Sequence, residues 1–256
     1  MKKTSIKVMA VLFAAGSLQA ATVTFEDGNF GVHAVDNMAI TTQYLAGAGV
    51  QFHTGAYGAT NYGSFVGSAY IEQVGQQAGE VDATSGFGYG VDGGGSLFDT
   101  AKTTDGGMDG MTAAARSALL GQYFLRNNAR SVDSLTVQYS TAVSAASFEI
   151  WDLDGDTGYE QWKITAYNGN WSTPVLSVNT PAGLFGIVDT TTYDGQAYIV
   201  SLSGANFDRF VLEYTGTKLP KAGLAFNNFN TTQIPEPAAM SMMAVVIGAA
   251  MWIRRR

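Results

Sequence analysis

The sequence contains no cysteine, only two histidines and only five prolines among its 256 residues. The lack of cysteine excludes thiol catalysis, zinc–thiolate sites and disulfide bonds. The two histidines, His33 and His53, do not form a metal-binding spacing such as His-Glu-x-x-His, and no Gly-x-Ser-x-Gly segment occurs. Because no catalytic motif is found, we predict that the protein is not an enzyme.

Basic residues are scarce in the interior of the chain. Six of the 14 basic residues lie at the two ends, whereas only one of the 21 acidic residues does: Lys2, Lys3, Lys7, Arg254–Arg256 and Glu236. The interior therefore keeps 8 basic against 20 acidic residues, a net charge of −12. A surface of this charge repels nucleic acid and attracts divalent cations, so we expect no nucleic-acid partner.

The first twenty residues have the pattern of a secretory signal helix. A positively charged start precedes the apolar run Val8–Ala15 and the small residues Gly16–Ala20. A transmembrane helix needs about 20 apolar residues, and this run is much shorter. We predict that the export machinery reads Met1–Ala20 and that signal peptidase cleaves near Ala20.

The other end carries an Ile-Pro-Glu-Pro segment, Ile234–Pro237, followed by Ala238–Ile253 without one charge and by three arginines. Sixteen helical residues span roughly 24 Å, a little less than the roughly 30 Å hydrocarbon core of a bilayer. The pattern predicts a C-terminal transmembrane helix with its arginines on the cytoplasmic side. The simplest alternative is an ordinary membrane anchor with an incidental Pro-Glu-Pro.

This arrangement closely resembles the PEP-CTERM sorting tail of Gram-negative bacteria, over residues 234–256. The resemblance implies that an exosortase, a membrane-embedded enzyme, recognises and processes the tail. It also implies a protein of the cell envelope, cell surface or extracellular space that is anchored to the inner membrane only before processing. The residues that carry the motif and the basic cluster are Pro235, Glu236, Pro237, Arg254, Arg255 and Arg256.

Residues 21–233 show no strong break and are predicted to form one domain. Short alternating runs, separated by turn residues every 10–15 positions or so, favour an all-β fold built as an antiparallel β-sandwich. The predicted strands are Thr22–Phe25, Gly49–His53, Leu119–Leu125, Ser134–Tyr139, Ala146–Leu153, Trp162–Tyr167, Val175–Val178, Tyr198–Leu202, Phe207–Tyr214 and Ala222–Phe229. For Leu119–Leu125 a helix is the alternative.

The body also resembles jelly-roll domains found upstream of such tails and in carbohydrate-binding modules. The matching features are Phe25-Glu26-Asp27, the strand Phe148–Asp154, the strand Trp162–Tyr167 with the Asn-Gly-Asn that follows it, and the closing strand Ala225–Phe229. The expected fold is thus a jelly-roll-like sandwich between a signal helix and a transmembrane helix.

Acidic side chains at alternate positions mark a first candidate calcium site. Oxygen ligands in a Gly-containing loop suit Ca²⁺, and the loop offers Asp152, Asp154, Asp156 and Glu160. It is not an EF-hand, because Thr157 replaces the glycine expected at the sixth position and Lys163 the acid expected at the twelfth. The alternative is a hairpin turn with solvated acids.

A second candidate calcium site follows only from the jelly-roll resemblance. In such modules an acid after the first strand and oxygens near the last strand share a structural calcium. Glu26, Asp27 and Asn227 occupy those places here. The chain has Asn227-Asn228 where an acidic pair is usual, which removes a carboxylate, and turn capping is the alternative role of Glu26 and Asp27.

Exposed aromatic side chains can stack on sugar rings. Trp162 lies within an alternating strand and is expected in the core, whereas Trp171 lies in a Gly-Asn loop and is the better candidate for ligand binding. Structural packing is the alternative for both.

Three functions are compatible with these observations. The first is a non-enzymatic surface or matrix protein that binds extracellular polysaccharide with the help of structural calcium. The second is a secreted polysaccharide hydrolase whose acid pair has no recognisable spacing. The third is a purely structural adhesin subunit.

Overall fold

Antiparallel β-strands make up most of the described chain, which confirms the all-β prediction. The computed structural model describes residues 21–55, 67–73, 120–127, 133–153, 158–183, 193–217 and 225–233. Within these residues no helix is long and apolar enough to cross a membrane. The signal segment, residues 1–20, and the sorting tail, residues 234–256, lie outside them, so both remain predictions.

The described strands, in chain order, are β1 (Ala21–Val23), β2 (Met38–Ile40), β3 (Val50–Gly55), β4 (Ala69–Gln73), β5 (Tyr123–Arg126), β6 (Ser134–Leu153), β7 (Trp162–Tyr167), β8 (Pro174–Asn179), β9 (Tyr193–Tyr214) and β10 (Ala225–Gln233). A short helix, α1 (Leu45–Ala48), precedes β3, and a 3-10 turn covers Asn29–Gly31.

The two longest strands, β6 and β9, form an antiparallel ribbon that belongs to two layers. Pairing runs from Leu135 opposite Leu212 to Leu153 opposite Tyr193, with irregularities around Val143. The first half of β6 pairs with β3, and the last part of β9 pairs with β7, which pairs with β8. The first layer therefore consists of β3, the first half of β6, the last part of β9, β7 and β8.

The other halves of β6 and β9 form the second layer with the remaining strands. The second half of β6 pairs with β10, which also pairs with β1 and β5. β5 then pairs with β4, and β4 with β2. The ribbon thus passes from one layer to the other at the bulges near Val143, where extra residues bend a strand without ending its pairing.

The core lies between the two layers and is rich in aromatic rings. Phe148 of the second layer stacks on Phe210 of the first, with centroids 5.2 Å apart and planes 8° apart. Trp162 of the first layer meets Phe226 of the second edge-on at 5.5 Å. Each such buried ring contributes roughly 1.5–3 kcal/mol through the removal of apolar surface from water.

The main correction to the predicted strands concerns β6 and β9. Ser134–Tyr139 and Ala146–Leu153 were predicted as two strands but are one, and so are Tyr198–Leu202 and Phe207–Tyr214. The small and polar residues between the halves interrupt the apolar alternation, so they read as turns. In the fold, β6 and β9 pair with each other on both sides of this bend, where Gly204 takes a positive φ of 95°.

Candidate functional site

Alternation along β7 and β9 separates core side chains from those on the outer face of the first layer. In β7, Trp162, Ile164 and Ala166 belong to the core cluster, so the residues between them point outward. The cross-strand pairing extends this outer face to the neighbouring strands. Its members are Lys163, Thr165, Tyr167, Arg209, Val211, Glu213, Thr136, Gln138, Gln51 and His53.

Trp171 packs on this outer face, as the loop after β7 folds back. Its ring lies 5.4 Å from the Tyr167 ring at an angle of 53°, and Val211 is buried beneath the pair. The Arg209 guanidinium carbon lies 4.7 Å from the centroid of the Trp171 ring. An arginine at this distance is attracted to the ring by a cation–π interaction.

Asp208 fixes the position of Arg209. Arg209 Nε donates to Asp208 Oδ1 at 2.5 Å and Nη2 donates to Oδ2 at 2.8 Å, a two-point contact. The Gly169 N–H also donates to Oδ2 at 3.0 Å. Burial alone raises the pKa of Asp208, but these hydrogen bonds and the Arg209 charge outweigh it and hold the pKa below its ordinary value. The carboxylate therefore stays ionised at neutral pH.

The loop that presents Trp171 is held by its own side chains and by Arg209. Asn170 Oδ1 accepts hydrogen bonds from the Ser172 N–H at 3.0 Å and the Thr173 N–H at 3.3 Å. Arg209 Nη2 donates to the Gly169 carbonyl at 3.3 Å, and Gly169 takes a φ of 76° that favours glycine. These contacts pre-organise the ring of Trp171, which is half-buried.

We call Tyr167, Trp171, Asp208 and Arg209 the Trp171 platform. Its amphipathic composition is suited to ligands that have both C–H faces and hydroxyl groups. Burial, followed by the nearby Glu213 charge, raises the pKa of Tyr167, so its hydroxyl keeps its proton at neutral pH. Sequence reasoning identified Trp171 but missed Asp208 and Arg209; the one available signal was a charged pair inside the apolar strand Phe207–Tyr214.

Two of the three residues predicted for the second calcium site, Glu26 and Asn227, contact the same segment, residues 120–123. Glu26 Oε1 accepts hydrogen bonds from the N–H groups of Gln122 at 2.8 Å and Tyr123 at 3.2 Å. The Asn227 side chain is buried and donates to the Leu120 carbonyl. Glu26 and Asn227 thus converge on residues 120–123, which they tie to the ends of β1 and β10.

Unusual backbone conformations next to Glu26 and Asn227 orient these two side chains. Phe25 and Asn228, their chain neighbours, have positive φ angles of 61° and 53°. A buried phenylalanine in this region is rare, so the surrounding packing must hold it there. Asp27 has different partners: its Oδ1 lies 2.6 Å from His33 Nδ1 and accepts the Ala34 N–H at 3.2 Å.

The loop of the first calcium prediction is only partly described. Asp154 and Asp156 lie outside the described residues, as does the side chain of Asp152. The Glu160 side chain is fully buried, and its backbone pairs with Gly183. Among the described residues no three acidic or histidine side chains form a cluster that could hold a metal. Both calcium sites therefore remain predictions.

Apart from the Trp171 platform, a concavity with a volume of about 330 Å³ lies between β8 and the first half of β9. It is lined by Ile164, Val178, Asn179, Thr180, Tyr198, Ile199, Val200 and Ser201, none of which is charged. It combines one aromatic residue with aliphatic and small polar side chains. Because it lacks a charged hydrogen-bonding pair beside its ring, the Trp171 platform is the better candidate.

Comparisons with known proteins give little further guidance. No family model matches the chain, and no curated protein matches it. A solved structure with some likeness is CBM32-3 from a family 31 glycoside hydrolase of Clostridium perfringens, at 12% identity and a TM-score of 0.22. The match covers 38% of this chain and 66% of the other. A likeness this distant assigns no function.

Proposed function

We propose that the protein is an exported, non-enzymatic surface or matrix protein whose β domain binds extracellular polysaccharide at the Trp171 platform. The observation that carries the binding proposal is the fixed position of a half-buried tryptophan beside a two-point Asp–Arg pair. Sugar rings have apolar C–H faces that stack on aromatic rings and hydroxyl groups that need hydrogen-bonding partners. The platform offers both kinds of contact within one patch.

The polar half of the platform has capacity left for a ligand. Arginine has five N–H donors, and the contacts of Arg209 use Nε and Nη2. The two donors on Nη1 bind none of the described residues, so they remain for sugar hydroxyls. Because the guanidinium is held by Asp208, a ligand does not have to order it, which reduces the entropic cost of binding.

The export part of the proposal depends on the two ends of the chain. The signal pattern at residues 1–20 and the PEP-CTERM resemblance at residues 234–256 support export, exosortase processing and a transient inner-membrane anchor. We also propose that the two antiparallel layers are of the jelly-roll-like type, with structural calcium as their cofactor. Mass spectrometry of the mature protein from its own host tests the export proposal: loss of both ends is expected, and an intact cytosolic chain contradicts it.

The binding proposal is tested by affinity electrophoresis of the purified protein through gels that contain soluble polysaccharides. We expect retardation by at least one polysaccharide and its loss in Trp171→Ala. Val35→Ala is the matched control, because Val35 is an exposed apolar residue, 51% exposed, that precedes β2 and lines neither the platform nor the concavity. Electrophoresis in the presence of EDTA tests the calcium prediction. If calcium supports the fold of the binding domain, its removal should weaken retardation of the protein.

Two results would contradict the binding proposal. One is a wild-type protein that no polysaccharide retards, and the other is a folded Trp171→Ala variant that is retarded as strongly as the wild type. Circular dichroism establishes that the variant is folded. Release of reducing sugar that a single Asp or Glu substitution abolishes would instead favour a hydrolase.

A further inference from the structure

The strand β8 lies at the edge of the first layer, and its outer side is open. Among the described residues β8 pairs only with β7, and it is a terminal strand in the order of the sheet. Its core-facing residues, Leu176 and Val178, remain half-buried. Their partners in β7, Ala166 and Ile164, are fully buried. The edge of the layer is therefore accessible from the side.

Backbone hydrogen-bonding groups of β8 point to this open side. In an antiparallel strand the N–H and C=O groups of successive residues point alternately to the two neighbouring positions. The Thr180 N–H, just after the strand, donates to the Trp162 carbonyl of β7 at 2.8 Å, so the even-numbered residues from 176 to 180 bond towards β7. The backbone groups of Ser177 and Asn179 therefore point away from β7, and both residues are exposed.

Little protects this edge against pairing with another chain. Soluble proteins usually protect an edge strand with a charged side chain, a proline or a bulge. In β8 the proline and the bulge are both at the start of the strand, at Pro174 and opposite Tyr167. The sequence from Ile164 to Val188 contains no charged residue. The stretch Ser177–Asn179 is thus free to pair.

Charge restricts where two copies of this chain can meet. Residues 21–233 carry a net charge of −12, so most contacts between two copies bring acidic groups close together. The uncharged edge of β8 avoids this repulsion. The concavity beside it, between β8 and β9, is also lined without charge, and its lining residue Ile199 is 63% exposed. The edge and the concavity together form an uncharged, partly apolar surface on an acidic protein.

We propose that β8 pairs antiparallel with β8 of a second copy of this chain, with Ser177 of each copy opposite Asn179 of the other. In this register the outward backbone groups of both residues gain partners, and the contact is symmetric about Val178. The added strand continues the first layer across the mouth of the concavity. Its core-facing side chains then cover apolar residues that line the concavity.

The other terminal strand in the sheet order, β2, fits a second copy less well. It has three residues, and Asp36 lies two positions before its first residue. A shorter edge offers fewer backbone groups, and the carboxylates of two copies would lie near each other. The observations therefore favour β8 as the contact.

Pairing through β8 would also affect ligand binding. Antiparallel strands of two copies within one sheet are related by an axis perpendicular to the sheet, so both Trp171 platforms face the same side. Two platforms on one side can bind one polysaccharide chain together, which raises the avidity. The pairing itself needs no polysaccharide.

The lack of cysteine permits a direct cross-linking test. Full-length protein with Ser177→Cys is mixed with full-length protein with Asn179→Cys and oxidised with copper phenanthroline. In the proposed register the two Cα atoms are about 5.5 Å apart, within the range of a disulfide. Thr141→Cys, at an exposed position of β6, is the control for random encounters. The mixture should cross-link about tenfold faster than the control or more, because pairing raises the local thiol concentration.

The symmetry of the pair supplies a second test, based on charge. A cross-link at one contact leaves Asn179 of the first variant opposite Ser177 of the second. Adding Asn179→Lys to the first variant and Ser177→Lys to the second puts like charges opposite each other, and the cross-linking rate should fall to that of the control. Replacing Ser177→Lys by Ser177→Glu should restore it. Circular dichroism establishes that each variant is folded.

Two results would overturn the pairing of β8. One is a mixture that cross-links no faster than the Thr141→Cys control. The other is equal cross-linking of the lysine–lysine and lysine–glutamate mixtures, since the two positions would then not lie opposite each other. Either result leaves the proposed function untouched, because the retardation of wild type and Trp171→Ala by polysaccharide does not involve β8.

Discussion

Phe148 lies at the centre of the aromatic core, and its removal gives the sharpest test of the two-layer fold. Its ring stacks on Phe210 at 5.2 Å and on Phe229 at 5.1 Å, with interplanar angles of 8° in both cases. Phe148 itself is 1% exposed. The Phe148→Ala variant therefore loses a buried ring that contacts both layers at once.

The expected cost follows from the burial and the two ring contacts. Phe→Ala in a core costs about 3–5 kcal/mol in free energy of unfolding, because transfer and cavity terms add. Each aromatic pair contributes about 0.5–1.5 kcal/mol beyond buried area, so we expect the upper end of that range. Native stability is typically about 5–15 kcal/mol, and a loss of this size would lower the melting temperature by roughly 10–20 °C.

Urea unfolding followed by tryptophan fluorescence measures this loss. The midpoint should fall while the slope m stays constant, because the surface exposed on unfolding is nearly unchanged. Phe148→Leu keeps most of the volume and should lose clearly less than the alanine variant, and Ile199→Ala should stay within about 0.5 kcal/mol of the wild type. A Phe148→Ala variant within about 1 kcal/mol of the wild type would refute the packing of the two layers around this ring.

Three further predictions concern single side chains. Gly121→Ala should lose more than about 2 kcal/mol in urea unfolding, since its Cβ would collide with the Glu26 carboxylate at a φ of 95°. Gly28→Ala, with a φ of 78° and open space, should lose only about 1–2 kcal/mol, and equal losses would contradict the Glu26 contact. Asp208 has a lowered pKa, so its contribution is present at neutral pH and is lost as the pH falls through the folded-state pKa. The stability difference between wild type and Asp208→Asn should thus shrink below about pH 4, and a constant difference would argue against the ion pair. Burial lowers the pKa of His53, so the unfolded chain takes up a proton first and stability should decline as the pH falls below about 6.5. His53→Gln should reduce that decline, and an identical pH profile would count against burial of the ring.

Local patterns predicted those parts of the fold that depend on alternation. β7 has the predicted bounds, because Trp162, Ile164 and Ala166 alternate with outward residues between clear turns. Trp162 lies in the core, as its place in that pattern indicates. The short strands β2 and β4 were not predicted individually, since three to five residues are too few to establish a period.

The full candidate site could not be predicted from the sequence, because it depends on a contact between residues that are distant along the chain. Tyr167 lies opposite Arg209, 42 positions later in the chain, and only the register of β7 with β9 brings the Asp208–Arg209 pair beside Trp171. Similarly, the resemblance to jelly-roll domains predicted that Glu26 and Asn227 lie near each other, and β1 does pair with β10. It did not indicate that both side chains would bind the backbone of residues 120–123.

An NMR titration of the isotope-labelled protein with fragments of the retained polysaccharide tests the location of binding most directly. The account predicts amide and side-chain shift changes concentrated in residues 167–173 and 208–211. Changes confined to the concavity around Val178 and Tyr198, or no changes at saturating ligand, would contradict it.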